Sequence, residues 1–167
     1  NGHLVGGWPY GYNSFRLDLT PYLNFGGINQ LAIRLDNPNH SARWYPGGGI
    51  YRNVWLTKTA PVHVAQWGTF ITTPEISSKE ATIHLSLKLE NKTTSTQLVE
   101  AKTQIFAADD FGKAKGKAIT NFLSENISLN ANEKQTIESK TLLKNPMLWG
   151  IYPQQKQNLY EQKPKFL

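Results

Sequence analysis

Three kinds of residue in this chain could take part in chemistry: carboxylates, histidines and a group of exposed-looking aromatics with arginine beside them. The carboxylates that a hydrolytic acid/base pair would need are few. They are scattered over strand surfaces and turns: Glu80, Glu90, Glu100, Asp109, Asp110, Glu125, Glu133 and Glu138. Asp109 and Asp110 are adjacent, so on a strand they point to opposite faces. No pair among these has a rationale as general acid and base. The histidines, His3, His40, His63 and His84, are far apart, and none makes a metal-binding spacing such as H-x-x-x-H. With no cysteine in the chain there is no thiolate nucleophile, zinc-thiolate site or disulfide framework. No metal and no cofactor is expected.

The aromatics are more suggestive. In "ARWYPGGGIYRNVWL", Ala42 to Leu56, Arg43, Trp44 and Tyr45 precede three consecutive glycines. An exposed aromatic face with a guanidinium beside it is a surface for stacking and for donating hydrogen bonds. The competing assignment is that Trp44 packs on its own sheet or at a seam between domains. A second aromatic loop, Trp8-Pro9-Tyr10, lies between two glycine-bearing turns and is open to the same two readings. Gly47 to Gly49 are expected to let the backbone turn sharply into the strand that follows.

These residues need elements to position them, and the pattern supplies only strands. "NSFRLDLTPYL" alternates Phe15, Leu17 and Leu19 with Arg16, Asp18 and Thr20, the period of a half-buried strand. "GGINQLAIRLDNP" turns Leu31, Ile33 and Leu35 inward, and "IYRNVWLTKTA" is a third such run. Asn1-Gly2 is a hairpin-turn signal that needs a strand before it, so the chain is expected to begin partway through a sheet. Asp18 reads as a turn or ion-pair residue, with Arg16 or Arg34 as partner. From Pro61 the strands follow at roughly ten-residue spacing. The first spans 62–73, with Val62, Val64 and Phe70 inward. The cleanest is "ATIHLSLKLEN", where Ile83, Leu85, Leu87 and Leu89 alternate with polar residues. "QLVEAKTQIFAA", "AITNFLSENISL" (one or two strands) and "EKQTIESKTLL" complete the set. No segment has a convincing helical period, so the chain is read as all-β.

The formal charge of +6, from 18 basic and 12 acidic residues, invites a nucleic-acid reading. The lysines are dispersed, however, without a run of five or six, so a solvated lysine-rich surface accounts for them and no nucleic-acid partner is expected. No stretch approaches the roughly 20 apolar residues of a membrane-spanning helix, and no membrane partner is expected. Asn39, Asn91 and Asn126 open formal glycosylation sequons, read as accidental.

Taken in order, the motifs resemble the N-terminal sugar-binding region of glycoside hydrolase family 2, the β-galactosidase and β-glucuronidase family. The matching phrases are Asn1-Gly2, Phe15 to Leu23 ("F-x-x-D-L-T-x-Y-L"), Asn29 to Asn37 and Gly49 to Leu56 ("G-I-Y-R-x-V-x-L"). A looser match, "NPMLWGIYPQQKQNLY" from Asn145 to Tyr160, is similar to the phrase that ends the family's second domain. The resemblance implies a partial jelly-roll (galactose-binding-like) sheet over 1–60 and an immunoglobulin-like β-sandwich over 61–160. Residues 161–167 would then be a linker towards a catalytic barrel that this stretch does not contain. Asp18, Gly49 and Arg52 are carried over as structural motif residues, Arg52 bridging the jelly roll to the next domain. Arg43, Trp44, Tyr45, Trp8 and Tyr10 become candidates for the rim of a sugar pocket. The metal-associated acidic residue of some family members has no counterpart in Ser41-Ala42-Arg43-Trp44, which puts a sodium site and strict galactosidase specificity in doubt.

The parent would be a retaining glycosidase. One carboxylic acid protonates the leaving oxygen, and a second carboxylate, about 5–5.5 Å away, forms the glycosyl-enzyme. In the family both glutamates belong to the barrel, so this chain alone is expected to be inactive. Its partners would be the barrel of its own chain, a carbohydrate through the full-length protein, and copies of itself through the exposed truncated sheet. The alternatives are a free-standing carbohydrate-binding module or a cell-surface adhesive β-sandwich. Family analogy favours a bacterial periplasmic or extracellular location, with the cytoplasm also open.

Overall fold

The computed structural model describes residues 1–40, Arg43 and 47–166. The chain divides into two compact units, 1–55 and 56–167, five residues ahead of the boundary the sequence suggests. Among the described residues all strands lie in the second unit: β1 (Val62–Ile76), β2 (Glu80–Asn91), β3 (Gln97–Ala108), β4 (Ala114–Asn121), β5 (Glu125–Leu129), β6 (Lys134–Lys144) and β7 (Leu159–Phe166).

The second unit has one sheet with the order β1-β2-β6. In the other, β3 carries β4 and β5 successively along one edge and β7 along the opposite edge. All pairings are antiparallel. Strand β2 forms as its alternation dictates: Ile83, Leu85, Leu87 and Leu89 are buried. They meet Val99, Ala101 and Ile105 of β3, Phe122, and Ile127 and Leu129 of β5 in one core. Burying a side chain of this kind stabilises the fold by roughly 1.5–3 kcal/mol. Side-chain hydroxyls clip β4 to β6, with Thr120 Oγ1 donating to the Leu142 carbonyl (3.1 Å) and Thr141 Oγ1 to that of Asn121 (2.9 Å). "AITNFLSENISL" is thus two strands, and its buried Phe122 lies in the connection between them.

Two expectations for this unit need correction. The linker read over 161–167 is, as far as Phe166, part of β7, paired with β3 from Ala101↔Phe166 to Ala108↔Leu159. Its lysines and proline disguise a strand, because β7 lacks a clean apolar alternation. Phe70, expected inward, is exposed. Between Val64 and Thr69 the register of β1 against β2 shifts at a bulge, so the alternation that starts at Val62 does not carry through to Phe70. The bulge places Trp67 at φ 53° and packs Gly68 against backbone. A Cβ on Gly68 would lie 2.6 Å from the Ala65 carbonyl oxygen and 2.8 Å from that of Lys88, so only glycine fits.

At the end of β2 the buried Asn91 joins the sheets. Its Nδ2 donates to the carbonyls of Ser95 (2.9 Å), Leu129 (3.1 Å) and Asn130 (2.9 Å). Its Oδ1 accepts from the backbone N–H (2.9 Å) and hydroxyl (2.8 Å) of Thr93. A buried side chain engaged in this way is a structural residue, and this sequon has no exposed acceptor.

The first unit is different. Among its described residues there is no strand, only a 3-10 turn at Thr20–Tyr22. The three expected strands run without sheet pairing, and Phe15, Leu17, Leu31, Ile33 and Leu35 remain exposed. Alternating side chains are buried only when a second layer covers the apolar face, and among this unit's own described residues none covers them. Polar side chains hold the turns instead. Asn29 accepts from Asn24 N–H (2.7 Å) and donates to the carbonyls of Asn24 (2.9 Å) and Gly27 (3.1 Å), locking a turn whose Gly26 has φ 79°. Asn1 Nδ2 donates to the Tyr22 carbonyl (2.9 Å), and Asn1 Oδ1 accepts from Gln30 N–H (3.0 Å).

Replacing Asn91 removes the donor to the buried Leu129 contact and to the part-buried ones at Ser95 and Asn130, so Asn91→Ala should destabilise the sandwich by about 2–4 kcal/mol in denaturant unfolding. Asn91→Asp should be no better, because a carboxylate oxygen would then face three carbonyl oxygens. A loss below about 0.5 kcal/mol for both would refute the bridging role.

Candidate functional site

The candidate rim residues belong to the first unit. Trp8 stacks on Phe15, with ring centroids 6.0 Å apart and planes 8° from parallel. Tyr10 meets Tyr12 edge-on at 5.6 Å, and Tyr12 meets Tyr51 in the same way at 6.4 Å. The Tyr51 hydroxyl donates to the Gly11 carbonyl (3.2 Å), which ties the Trp8–Tyr12 loop to the Ile50–Arg52 segment. The Arg52 guanidinium lies over the Tyr51 ring, 5.4 Å from its centroid. The result is an exposed strip of aromatic edges and faces ending in a cation, a surface suited to stacking and to donating hydrogen bonds.

Tyr10 and Arg52 are thus brought together through Tyr12 and Tyr51, two residues the sequence did not single out. The signal for Tyr51 was present in its "GIYR" phrase, but its place in an expected core strand hid it. Trp8 stacks separately, on Phe15. Arg43 is exposed; Trp44 and Tyr45 lie outside the described residues.

The motif residues have local roles. Asp18 Oδ1 accepts from Thr20 N–H (3.0 Å) and so fixes the start of the Thr20–Tyr22 turn. Arg34, offered as its ion partner, instead lies 3.9 Å from Asp36, with both side chains solvated. The chain bends at Gly49, where a Cβ would meet open space.

The carboxylates of the second unit hold its strands and turns. Asp109 accepts from Phe111 N–H (3.0 Å) and Lys113 N–H (2.8 Å) in the β3–β4 turn. Glu133 takes Asn130 N–H (2.5 Å), Glu125 takes the Ser139 hydroxyl, and Glu161 takes Ala114 N–H. Glu90 is the buried one, 3% exposed, facing Lys92 (2.9 Å), Lys134 (3.2 Å) and His63 (3.6 Å). Burial works to raise its pKa, but the hydrogen bonds and charges of Lys92 and Lys134 outweigh it and hold the carboxyl below its ordinary value.

The family model for glycosyl hydrolases family 2 matches residues 62–165, the sandwich from the first strand almost to the end of the last. The chain belongs to this family. A beta-galactosidase of Bacteroides ovatus is 38% identical over 152 residues, covering 90% of this chain and 17% of that protein. A beta-glucuronidase of Formosa agariphila is 29% identical over 171 residues, covering 89% and 17%. Among solved structures, a family 2 member from Bacteroides cellulosilyticus superposes with a TM-score of 0.81 at 30% identity, covering 98% of this chain and 21% of that one. A Bacteroides uniformis beta-glucuronidase gives 0.72 at 28%, covering 90% and 18%. This family 2 chain therefore spans about a sixth of the length of the curated relatives it matches.

The depressed pKa of Glu90 gives a signed prediction. A carboxylate lowered in the folded state contributes stability above its ordinary pKa of 4.5, and this is lost as pH falls through the folded value. Glu90→Gln should lower stability at pH 7 and flatten its decline on acidification below about pH 4.5. A variant that loses stability by the same amount at every pH would contradict this.

Proposed function

We propose that this chain is the non-catalytic N-terminal region of a longer, β-galactosidase-like retaining glycosidase acting on terminal β-linked sugars. The observation that carries the reading is a likeness running along 98% of this chain but only 21% of a family 2 neighbour. The sandwich supplies a rigid block next to the catalytic part, and the first unit lends its aromatic strip to the pocket rim.

On this reading the acid and the nucleophile, which act about 5–5.5 Å apart, come from elsewhere in the longer protein. Asp109, Glu125, Glu133 and Glu161 are engaged in holding turns and strands, which fits a supporting role. Trp8, Tyr10 and Arg43, together with Trp44 and Tyr45, would shape the approach of the sugar. Arg52 and Tyr51 would brace that loop. The uncovered apolar side chains of the first unit would find the remainder of their own domain in the longer protein, and in isolation would drive self-association.

The test is calorimetry on the 167-residue chain with β-galactosides and β-glucuronides, read beside the gene downstream of Leu167. The expected result is no measurable binding heat and a reading frame that continues into a barrel-sized segment bearing two catalytic glutamates. Micromolar binding by the chain alone would favour a carbohydrate-binding module. A stop codon directly after Leu167 would overturn the glycosidase reading.

A further inference from the structure

Among the edge strands of the sandwich, β1 differs from the rest. In its sheet β1 and β6 lie at the edges, and in the other sheet β4 and β7 do. An edge strand offers its unpaired N–H and C=O groups to any extended chain, and lysine or proline on the edge discourages such pairing. Strand β6 carries Lys134, Glu138, Lys140 and Lys144; β4 carries Lys115 and Lys117; β7 carries Glu161, Lys163 and Pro164. Strand β1 has no lysine or arginine in its 15 residues, and Glu75, near its end, is its only carboxylate. Its exposed side chains include Trp67, Phe70, Ile71 and Ile76, at 70%, 67%, 38% and 59%.

The unguarded part of this edge is a short straight run. Thr69 to Thr72 pair with Leu87 to His84 of β2, between two shifts of register. The bulge at Trp67 and Gly68 closes the run on one side, and Pro74, which has no N–H, closes it on the other. Between them the sequence is Thr69-Phe70-Ile71-Thr72-Thr73. Read outwards from Ile71, this run is nearly its own complement. In an antiparallel pair of copies related by a two-fold axis through Ile71, Ile71 faces Ile71. Each Phe70 then faces a Thr72, and each Thr69 faces a Thr73. Aromatic, β-branched and threonine pairs are those that cross-strand contacts favour, and no charge in the run meets a like charge. An interface formed by the same patch on both copies requires this self-complementarity.

We propose that the Thr69–Thr73 edge of β1 is the docking surface for a second copy of this chain, the two β1 strands pairing antiparallel about Ile71. Two three-stranded sheets then become one continuous sheet. Two observations choose this occupant: the run is complementary to itself, and it lacks the charges that guard β4, β6 and β7. A sugar or an unrelated strand would call for no such symmetry. The proposal does not depend on the functional reading above. It is also distinct from association through the apolar side chains of the first unit, which would set no register on β1.

Because the chain has no cysteine, single introduced thiols report the register. Opposed residues of an antiparallel pair have Cα atoms about 4.5–5.5 Å apart, within the span of a disulfide. Under a mild oxidant, Ile71→Cys should give a cross-linked dimer. Thr69→Cys mixed with Thr73→Cys should cross-link at least about tenfold faster than either variant alone. Lys140→Cys, on the opposite edge of the same sheet, should stay at the slow rate. Ile71→Cys no faster than Lys140→Cys would overturn the proposal, as would equal rates at every position, the mark of association without register. Should Ile71→Cys disturb the fold, the exposed Thr69 and Thr73 decide alone, and a mixture no faster than its components overturns the proposal. Cross-linking in the 167-residue chain that is lost in the full product of its gene would assign the edge to another part of that product, against the proposal.

Discussion

Asn91 sits where three stretches of the sandwich must meet, and its amide supplies a hydrogen bond that no apolar residue could replace. Strand β2 ends there, the Thr93–Ser95 turn folds back over it, and β5 ends beside it at Leu129 and Asn130. Backbone bonds reinforce the knot: Asn91 N–H donates to the Glu133 carbonyl and Lys92 N–H to that of Pro61, both at 2.9 Å. The leucine row of β2 can face β3 and β5 in one register only if that end is fixed. A buried amide with every polar atom engaged specifies the arrangement as well as stabilising it. Glu90, one residue before, plays a related part on the opposite face of β2, where two lysines offset the desolvation of its charge.

The two units show what a layer of packing contributes. The sandwich has two sheets, so the alternation of β2 and β3 has somewhere to go and a continuous core forms. The first unit has apolar alternation of the same quality and lacks a second layer, and its apolar side chains stay in water. What order it has comes from polar side chains, Asn29 on the Asn24–Gly27 turn, Asp18 on the Thr20–Tyr22 turn and Asn1 on Tyr22 and Gln30, and from the contacts of Tyr51 with Gly11 and Tyr12. The likeness to a family 2 structure nonetheless runs through this unit, over 98% of the chain. Family membership itself is carried by the sandwich, where the family model matches residues 62–165.

Much of this was legible in the residues. The all-β class and the buried row Ile83, Leu85, Leu87 and Leu89 follow from period-two alternation, and the family from its spaced phrases. What was not legible depends on contacts distant in sequence. Strand β7 was hidden because its pairing with β3, rather than its own pattern, makes it a strand. Phe70 was misplaced because a bulge resets the register without marking the apolar pattern. Asn91 looked like one more polar turn residue, since nothing local shows that its amide reaches residues nearly forty positions away. On the aromatic strip, Trp8 and Tyr10 were visible as loop residues. The couplings of Tyr10 to Tyr12 and of Tyr12 to Tyr51 join segments that no single window contains.

The central proposal is that this chain is a supporting region of a longer glycosidase. The most direct measurement compares the hydrolysis of chromogenic β-galactoside and β-glucuronide by the 167-residue chain and by the full product of its gene. The account predicts no turnover above buffer by the chain and turnover of at least one substrate class by the full product. Turnover by the 167-residue chain itself, abolished by replacing one of its own carboxylates, would contradict it.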